Sequence, residues 1–317
     1  MHKKRRPERQ RVSIRGRILR ESIRIFSKTS FGKGWRTGEI YKKIREPFWI
    51  PCFGYQHKKI RILNIRIEEI SKNSKMHLKF HSDSSQKVIL FLHGGGYIGR
   101  IRNIYRRFAV ELCRKSGGAK VYMPDYRTAP ENVFPAALED AVRAYLWLLK
   151  EEKICPEHII VAGDSAGGGL SLALGHYLKR HRISMPSKFL LLSPWTDLAL
   201  TGESLKYNRK RDPLFGETKD SMIYQRIYLG TCKVRSPYIS PLYGTFDGFP
   251  PMLIQAGEFE MLLSDSLRLA KKAEKSGVKV QKTTYPGMFH VFQMAFAWVP
   301  ESRVAWKEIG QFLKKRD

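Results

Sequence analysis

The feature that most constrains the fold is a short apolar run that turns through Gly163-Asp164-Ser165-Ala166-Gly167 into helix-forming residues. Residues 159–162 predict a buried strand, and residues 170–180 predict a helix. A serine at the apex of such a turn, with glycine two residues to either side, is the nucleophile-elbow pattern, because the flanks have no room for a Cβ atom. Ser165 would stand at a helix N-terminus, where backbone N–H groups stabilise developing negative charge. The pattern favours acyl-transfer chemistry at Ser165 over the alternative, a glycine-rich turn with an idle serine.

Strands and helices alternate on both sides of this turn. Residues 88–92 are apolar throughout, which is typical of a strand covered on both faces. The other predicted elements are strands at 120–124, 189–192, 252–255 and 278–285, and helices at 105–115, 135–150, 264–275 and 303–314. Upstream, apolar and polar residues alternate over 59–70 and again over 76–80, which predicts two half-exposed, antiparallel strands. The order indicates an α/β fold with a mostly parallel sheet and helices on both faces.

Two segments lie outside this alternation. Residues 196–237 contain a charged stretch and a helical stretch without a following strand, which predicts an insertion. Residues 14–26 place apolar side chains at helical spacing between arginines, which predicts a basic amphipathic helix. Such a helix can lie on a membrane surface or pack as a lid over the protein, and we favour the lid. The predicted organisation is an N-terminal basic cap segment at 1–50, an α/β core in two parts at 51–195 and 238–317, and a cap insertion at 196–237.

The chain is strongly basic, with a formal net charge of +29 over 317 residues. Residues 1–45 alone carry sixteen Lys and Arg against three Glu, a local charge of +13. Such charge attracts anionic surfaces, although a basic solvated face or a compositional bias would give the same count. No nucleic-acid recognition module accompanies the charge, so we expect no specific nucleic-acid partner. A peripheral contact between the basic N-terminus and an anionic membrane is one partner hypothesis, and a homodimer is another.

The cysteines and the hydropathy bear on the cellular compartment. Cys52, Cys113, Cys155 and Cys232 form no C-x-x-C pair, so we expect free thiols rather than a metal or redox site. No apolar run follows the basic N-terminus as it would in a signal peptide, and none reaches the roughly 18 residues of a membrane span. The expected location is cytoplasmic.

Ester hydrolysis by a serine requires a base for the Oγ proton, an acid to orient the base, and N–H donors for the oxyanion. On a fold with a nucleophile elbow, these members appear in the order serine, acid, histidine. Of nine histidines, only His290 follows the last predicted strand. His176 and His181 sit on the helix that begins at Ser165 and are too closely tied to it to reach its apex. His290 is therefore the candidate base.

The acid is expected just beyond the predicted strand at 252–255, where three carboxylates compete. Asp265 is predicted to lie in the opening turn of the next helix, with Ser264 as its N-cap, in a structural role. The spacing alone leaves Glu258 and Glu260 both open. For the oxyanion, the glycines of residues 93–96, at the end of a buried strand, supply flexible backbone whose N–H groups can point into a cleft.

Six motifs together resemble the hormone-sensitive-lipase-like esterases of the α/β-hydrolase fold, the bacterial family IV esterases. They are HGGGY at 93–97, DYRTAPE at 125–131 with FPAALED at 134–140, GDSAGG at 163–168, SPWTDL at 193–198, SPL at 240–242 and GMFHVFQ at 287–293. They cover about residues 85–300 in the family's order. The resemblance implies the α/β-hydrolase fold with a helical cap formed by residues 1–50 and 196–237.

The resemblance also assigns roles to individual residues. It implies Ser165 as nucleophile and His290 as base, with an oxyanion hole formed by the N–H groups of Gly95, Gly96 and Ala166. Many members carry Asp-Pro-Leu at the acid position, where this chain has Glu-Met-Leu at 260–262, similar to a branch with Glu there. This correspondence favours Glu260 as the acid and keeps Glu258 as the alternative. Asp125, Glu131 and Asp164 are interpreted as structural acids that brace the loops around the site.

The implied activity is that of a serine carboxylesterase. It would cleave a small-molecule ester with a short- to medium-chain acyl group through an acyl-enzyme intermediate, without a metal or cofactor. An amidase or deacetylase with the same triad is an alternative. A non-catalytic small-molecule receptor on the same fold is another, and the presence of both Ser165 and His290 argues against it.

Overall fold

The computed structural model describes residues 12–29, 54–73, 87–216 and 224–315. They form one sheet of eight strands in the order β1-β2-β4-β3-β5-β6-β7-β8. The strands are β1 Tyr55–Ile62, β2 Ile65–Lys72, β3 Val88–Leu92, β4 Lys120–Pro124, β5 Ile159–Asp164, β6 Lys188–Leu192, β7 Met252–Gly257 and β8 Val280–Tyr285. β2 runs antiparallel to both β1 and β4, and the strands from β4 to β8 are parallel to one another. The predicted α/β fold with a mostly parallel sheet is confirmed.

Helices cover both faces of this sheet. They are α1 Ile14–Lys28, α2 Asn103–Ser116, α3 Ala136–Lys150, α4 Ser165–Arg180, α5 Ser204–Tyr207, α6 Tyr224–Leu229, α7 Leu263–Lys275 and α8 Pro300–Lys314. α3, α4 and α7 pack on one face, and α2 and α8 pack on the other. No helix within the described ranges has the length and apolar character that a membrane crossing requires.

The central strands are apolar throughout because each has two buried faces. In β3, Leu90 and Leu92 belong to the core under α3 and α4, whereas Ile89 and Phe91 belong to the core under α2 and α8. This is the period of two that a pleated strand imposes. Because parallel strands end at one edge of the sheet, the loops after β3, β5, β7 and β8 meet there, and they carry the candidate site residues.

The N-terminal part of the sheet differs from the prediction. The alternation over residues 59–70 predicts a single strand, and this prediction is wrong. The chain turns at Leu63 and Asn64, so the alternation belongs to the β1–β2 hairpin. Leu63 has a φ of 50°, outside the strand region. The apolar positions change from even, at Ile60 and Ile62, to odd, at Ile65 and Ile67, because residues paired across a two-residue turn share one face of the hairpin. The second predicted strand, residues 76–80, lies outside the described residues.

The helix predicted over residues 14–26 is α1, which is capped and anchored at its start. The Ser13 hydroxyl accepts a hydrogen bond from the N–H of Gly16 and donates one to Glu301 of α8. Near the C-terminal end of α1, the Ser27 hydroxyl donates to the carbonyl of Pro213 at 2.8 Å. The helix therefore connects the C-terminal helix of the core with residues of the predicted insertion at 196–237.

Candidate active site

Ser165 occupies a strained turn between β5 and α4. Its φ of 52° lies in the left-handed region that side chains other than glycine rarely adopt. A Cβ atom on Gly163 would come within 2.4 Å of the Gly167 carbonyl oxygen, and one on Gly167 within 2.0 Å of the Leu92 carbonyl oxygen. Both flanking glycines are therefore sterically required. The turn places the Ser165 side chain at the wall of a cavity beyond the strand ends.

Asp164 connects this turn to the triple-glycine loop. Its Oδ1 accepts a hydrogen bond from the N–H of Gly94 at 2.8 Å, and a Cβ on Gly94 would lie 2.3 Å from its Oδ2. The Tyr105 hydroxyl donates to Oδ2 at 3.4 Å. Burial raises the pKa of Asp164 to about 7, and these hydrogen bonds only partly offset the rise. Asp164 thus braces the elbow, as interpreted from the sequence.

The raised pKa of Asp164 predicts a pH-dependent stability. An unfolded Asp has a pKa of about 3.9, so the folded chain holds the extra proton between about pH 4 and about pH 7. The contribution of this group to stability therefore falls as the pH rises through that window. The variant Asp164→Asn lacks this loss. We expect the free energy of unfolding, measured in urea, to fall from about pH 5 to about pH 8 by about 2 kcal/mol more in the wild type than in the variant. Equal losses in the two proteins would contradict this expectation.

A second buried carboxylate, on Asp265, is expected to lower the stability with rising pH in the wild type and in Asp164→Asn alike. Burial raises the pKa of Asp265 to about 7 as well. It accepts hydrogen bonds from the N–H groups of Thr196 and Asp197, which is the structural role expected from the sequence.

The expectation that Ser264 is the N-cap of the next helix is wrong. α7 begins one residue earlier, and the Ser264 hydroxyl accepts from the N–H of Ser204 instead.

The triple-glycine loop adopts backbone angles that require glycine. Gly95 and Gly96 have φ values of 102° and 63°, and both line the cavity beside Ser165. Within the described ranges their N–H groups donate to no acceptor. Ala166 belongs to the first turn of α4, where backbone N–H groups have no partner within the helix. The loop and the helix start therefore offer free donors on both sides of the serine.

His290 and Glu260 form a buried pair opposite this turn. Nδ1 of His290 lies 3.0 Å from Oε2 of Glu260, and both side chains are almost fully buried. Burial raises the pKa of Glu260, while the hydrogen bond with His290 lowers it. Nε2 of His290 has no hydrogen-bond partner in the described part of the chain. His290 and Ser165 line the same cavity, so this nitrogen is available to a proton donor there.

The two glutamates between which the spacing could not choose have different surroundings. Glu260 contacts His290, whereas Oε2 of Glu258 accepts a hydrogen bond from the N–H of Gly287 at 2.8 Å. The side chain of Glu258 is half-exposed, whereas that of Glu260 is fully buried. Glu258 therefore holds the start of the loop that carries His290, and only Glu260 touches the imidazole.

Two residues that no sequence motif marks hold Glu260 in place. Nδ2 of Asn208 donates to the backbone carbonyls of Glu258 and Glu260, at 2.8 and 2.9 Å. Oδ2 of Asp212 accepts from the N–H of Met261 at 2.8 Å. Both lie in or next to the charged stretch of the predicted insertion, where nothing in the local pattern marks them. They act through backbone groups about fifty positions away, a contact that only the fold creates.

The cavity has a volume of about 320 Å³ and a mainly apolar wall. Its apolar and aromatic lining consists of Ile23, Phe26, Ile98, Ile104, Tyr105, Trp195, Leu214, Phe215, Leu262, Phe289, Val291 and Met294. Four of these come from the two segments predicted as cap: two from α1 and two from the stretch before residue 217. The ring of Phe215 packs edge-on against His290, with 4.9 Å between ring centroids. No cluster of metal-ligating side chains occurs among the described residues.

Comparison with known proteins agrees with the fold. The sequence pattern of the family described as alpha/beta hydrolase fold matches residues 89–294. An esterase of Acinetobacter venetianus is 36% identical over 262 residues, which cover 83% of each chain. An acetyl-hydrolase of Streptomyces hygroscopicus is 38% identical over 228 residues, which cover 72% of this chain and 75% of the relative.

Solved structures show the same similarity over nearly the whole chain. A crystal structure of the esterase EstE5 soaked with p-nitrophenyl butyrate has a TM-score of 0.83 and 31% identity, covering 95% of this chain and 98% of EstE5. An esterase from the bacterial hormone-sensitive lipase family has a TM-score of 0.81 at 31% identity, with the same coverage. The protein is thus a carboxylic ester hydrolase. It belongs to the hormone-sensitive-lipase-like esterases of the α/β-hydrolase family, as its motifs indicated.

Proposed function

We propose that the protein is a serine carboxylesterase in which Ser165 is the nucleophile, His290 the base and Glu260 the acid that orients it. The observation that carries the proposal is the 3.0 Å contact between His290 Nδ1 and Glu260, with Nε2 left unpaired beside the cavity that Ser165 lines. A carboxylate on Nδ1 holds the neutral imidazole in the tautomer whose Nε2 accepts a proton.

The proposed reaction proceeds in two halves. Nε2 of His290 takes the Oγ proton of Ser165 while the oxygen attacks the ester carbonyl, and the N–H groups of Gly95, Gly96 and Ala166 bind the resulting oxyanion. The tetrahedral intermediate expels the alcohol, which receives the proton from His290, and the acyl group stays on Ser165. A water molecule then gives a proton to His290 and attacks the acyl-enzyme, and His290 returns the proton to Oγ of Ser165 as the carboxylic acid leaves.

We further propose that residues 1–50 and 196–237 act as a cap that limits the acyl group to short and medium chains. Support comes from the mainly apolar cavity of about 320 Å³, whose wall includes Ile23 of α1 and Leu214 of the insertion. The relative described as an acetyl-hydrolase and the structure soaked with p-nitrophenyl butyrate agree with a short acyl group. A panel of matched p-nitrophenyl esters and p-nitroanilides tests ester against amide substrates, and faster hydrolysis of the anilides would replace this proposal by an amidase.

Filling the cavity from the cap side should shorten the acyl chain that is accepted. Ile23 lines the cavity, whereas Ile14 on the same helix is exposed to solvent. We expect Ile23→Trp to lower kcat/KM for the octanoate ester at least about tenfold relative to the acetate ester, because the indole occupies apolar space that the longer chain needs. The matched variant Ile14→Trp should leave the acetate-to-octanoate ratio unchanged. An unchanged ratio in Ile23→Trp would show that α1 does not select the acyl chain.

A further inference from the structure

Helix α1 has two apolar faces, and only one of them packs against other parts of the chain that the structure describes. Leu19 and Ile23 face inward against the small core around Met288. Ile14, Ile18 and Ile25 are 68%, 53% and 69% exposed. With 3.6 residues per turn, these three isoleucines lie within about 40° of one another around the helix axis, on the side opposite Ile23. They form one stripe, called here the outer face.

The charges around the outer face are positive. Arg15 and Arg17 are exposed next to the stripe. Glu21, the one acid on the helix, also lies close to the stripe, but it is paired with Arg24 at 3.0 Å and Arg20 at 3.2 Å. Its charge is therefore compensated, and the outer face combines exposed isoleucines with a cationic border.

An exposed tryptophan lies beside the start of the helix. Nη1 of Arg15 donates to the backbone carbonyl of Trp298 at 3.5 Å, and the Trp298 side chain is 49% exposed. Tryptophan is enriched where proteins meet the headgroup region of a bilayer, because its ring is apolar and its N–H is polar. A helix with apolar residues on one side, bordered by Arg and Trp, has the composition of helices that lie flat in that region.

We propose that the outer face of α1 binds the surface of a lipid bilayer that carries anionic headgroups. The apolar stripe would enter the boundary between headgroups and acyl chains, and Arg15 and Arg17 would meet the headgroup charges. The formal net charge of +29 favours approach to such a surface. A second copy of the chain fits this face less well, because a symmetric contact would bring the arginine borders of two copies together.

The position of the helix gives this binding a consequence for the site. Ile23 and Phe26, on the other side of α1, line the cavity that holds Ser165 and His290. A bilayer on the outer face would therefore lie about one helix diameter, on the order of 10 Å, from the cavity wall. Esters that partition into lipid would be concentrated next to the part of the cavity wall that α1 forms. This consequence depends on the proposed esterase activity, whereas the binding itself does not.

Vesicle co-sedimentation of the full chain tests the binding independently of catalysis. The wild type is expected to sediment with vesicles of phosphatidylglycerol and phosphatidylcholine, and much less with phosphatidylcholine alone. The triple variant Ile14→Gln/Ile18→Gln/Ile25→Gln should lower the partition coefficient on the mixed vesicles at least about tenfold, since glutamine keeps the helix but removes the apolar stripe. The variant Arg15→Gln/Arg17→Gln should lower it roughly fivefold per charge at low salt.

A matched control removes the same number of exposed apolar side chains elsewhere. The variant Leu63→Gln/Val133→Gln/Tyr207→Gln changes three exposed residues outside α1 and should bind the vesicles as the wild type does. All variants should hydrolyse soluble p-nitrophenyl butyrate at the wild-type rate and keep the wild-type unfolding midpoint, which shows that α1 is still in place.

Several results would overturn the proposal. Absence of wild-type binding to the anionic vesicles would do so, as would binding that the isoleucine variant retains, since charge alone would then hold the protein. If sedimentation velocity showed a wild-type dimer that the isoleucine variant dissociates, without vesicle binding, the outer face would be a dimer interface. Loss of esterase activity in Ser165→Ala with unchanged vesicle binding separates the two proposals.

Discussion

Replacing Ser165 by alanine is expected to abolish hydrolysis of p-nitrophenyl butyrate, with a loss in kcat of roughly 10⁴- to 10⁶-fold. The variant has no nucleophilic oxygen at the elbow, and the remaining backbone donors can only assist a slow attack by water. The measurement is steady-state hydrolysis of the purified variant, with circular dichroism and the unfolding midpoint as evidence that the fold is intact.

A matched serine on the same helix provides the control for this prediction. Ser171 is buried six positions after Ser165, and its hydroxyl donates to the Gly167 carbonyl at 2.8 Å. It does not line the cavity. We expect Ser171→Ala to lose some stability, about 1 kcal/mol for the missing hydrogen bond, and to keep its activity within a few-fold. A folded Ser165→Ala variant that retained most of its activity would remove Ser165 from the mechanism.

The second large effect is expected at Glu260. The substitution Glu260→Gln keeps the size of the side chain but removes the negative charge that faces Nδ1 of His290 at 3.0 Å. The amide can hold the imidazole in the wrong tautomer and cannot stabilise the imidazolium, so kcat should fall about 10⁴-fold. A pH–rate profile measured beside the turnover should show that no accessible pH restores the wild-type rate.

Glu258 offers the control for Glu260 because it lies two positions away and was the competing candidate. In Glu258→Gln the amide oxygen can still accept the hydrogen bond from the N–H of Gly287. We therefore expect a loss of less than about tenfold in kcat, consistent with loss of a partly exposed charge. A larger loss in Glu258→Gln than in Glu260→Gln would reverse the assignment of the acid.

Local features of the sequence were sufficient to predict the elbow and the candidate nucleophile. The turn at Ser165 depends on neighbours within a few residues, since the required glycines stand two positions to either side. The strands near the elbow were equally predictable from the sequence, because each is a continuous apolar run bounded by turn residues. The hairpin at Leu63 was less evident, because the apolar side chain of Leu63 stands where the apolar positions change from even to odd and obscures that change.

The choice between Glu258 and Glu260 could not be made from spacing because it depends on the path of a loop that distant residues hold. Asn208 and Asp212 fix that loop through its backbone, and the sequence around them shows only a charged stretch. The motif resemblance favoured Glu260 without explaining it. The geometry supplies the reason, since Glu260 is the carboxylate that the loop directs into the buried space next to His290.

By itself, the sequence determined the α/β alternation, the strained serine turn and the family motifs, because each depends on residues close together in the chain. The tertiary structure alone decided which carboxylate meets the imidazole and which apolar residues of α1 face the cavity. Both are contacts between segments far apart in sequence. The two sides of α1 carry similar isoleucines, so only the packing of the helix on its neighbours distinguishes Ile23, at the cavity, from Ile14, Ile18 and Ile25 in solvent.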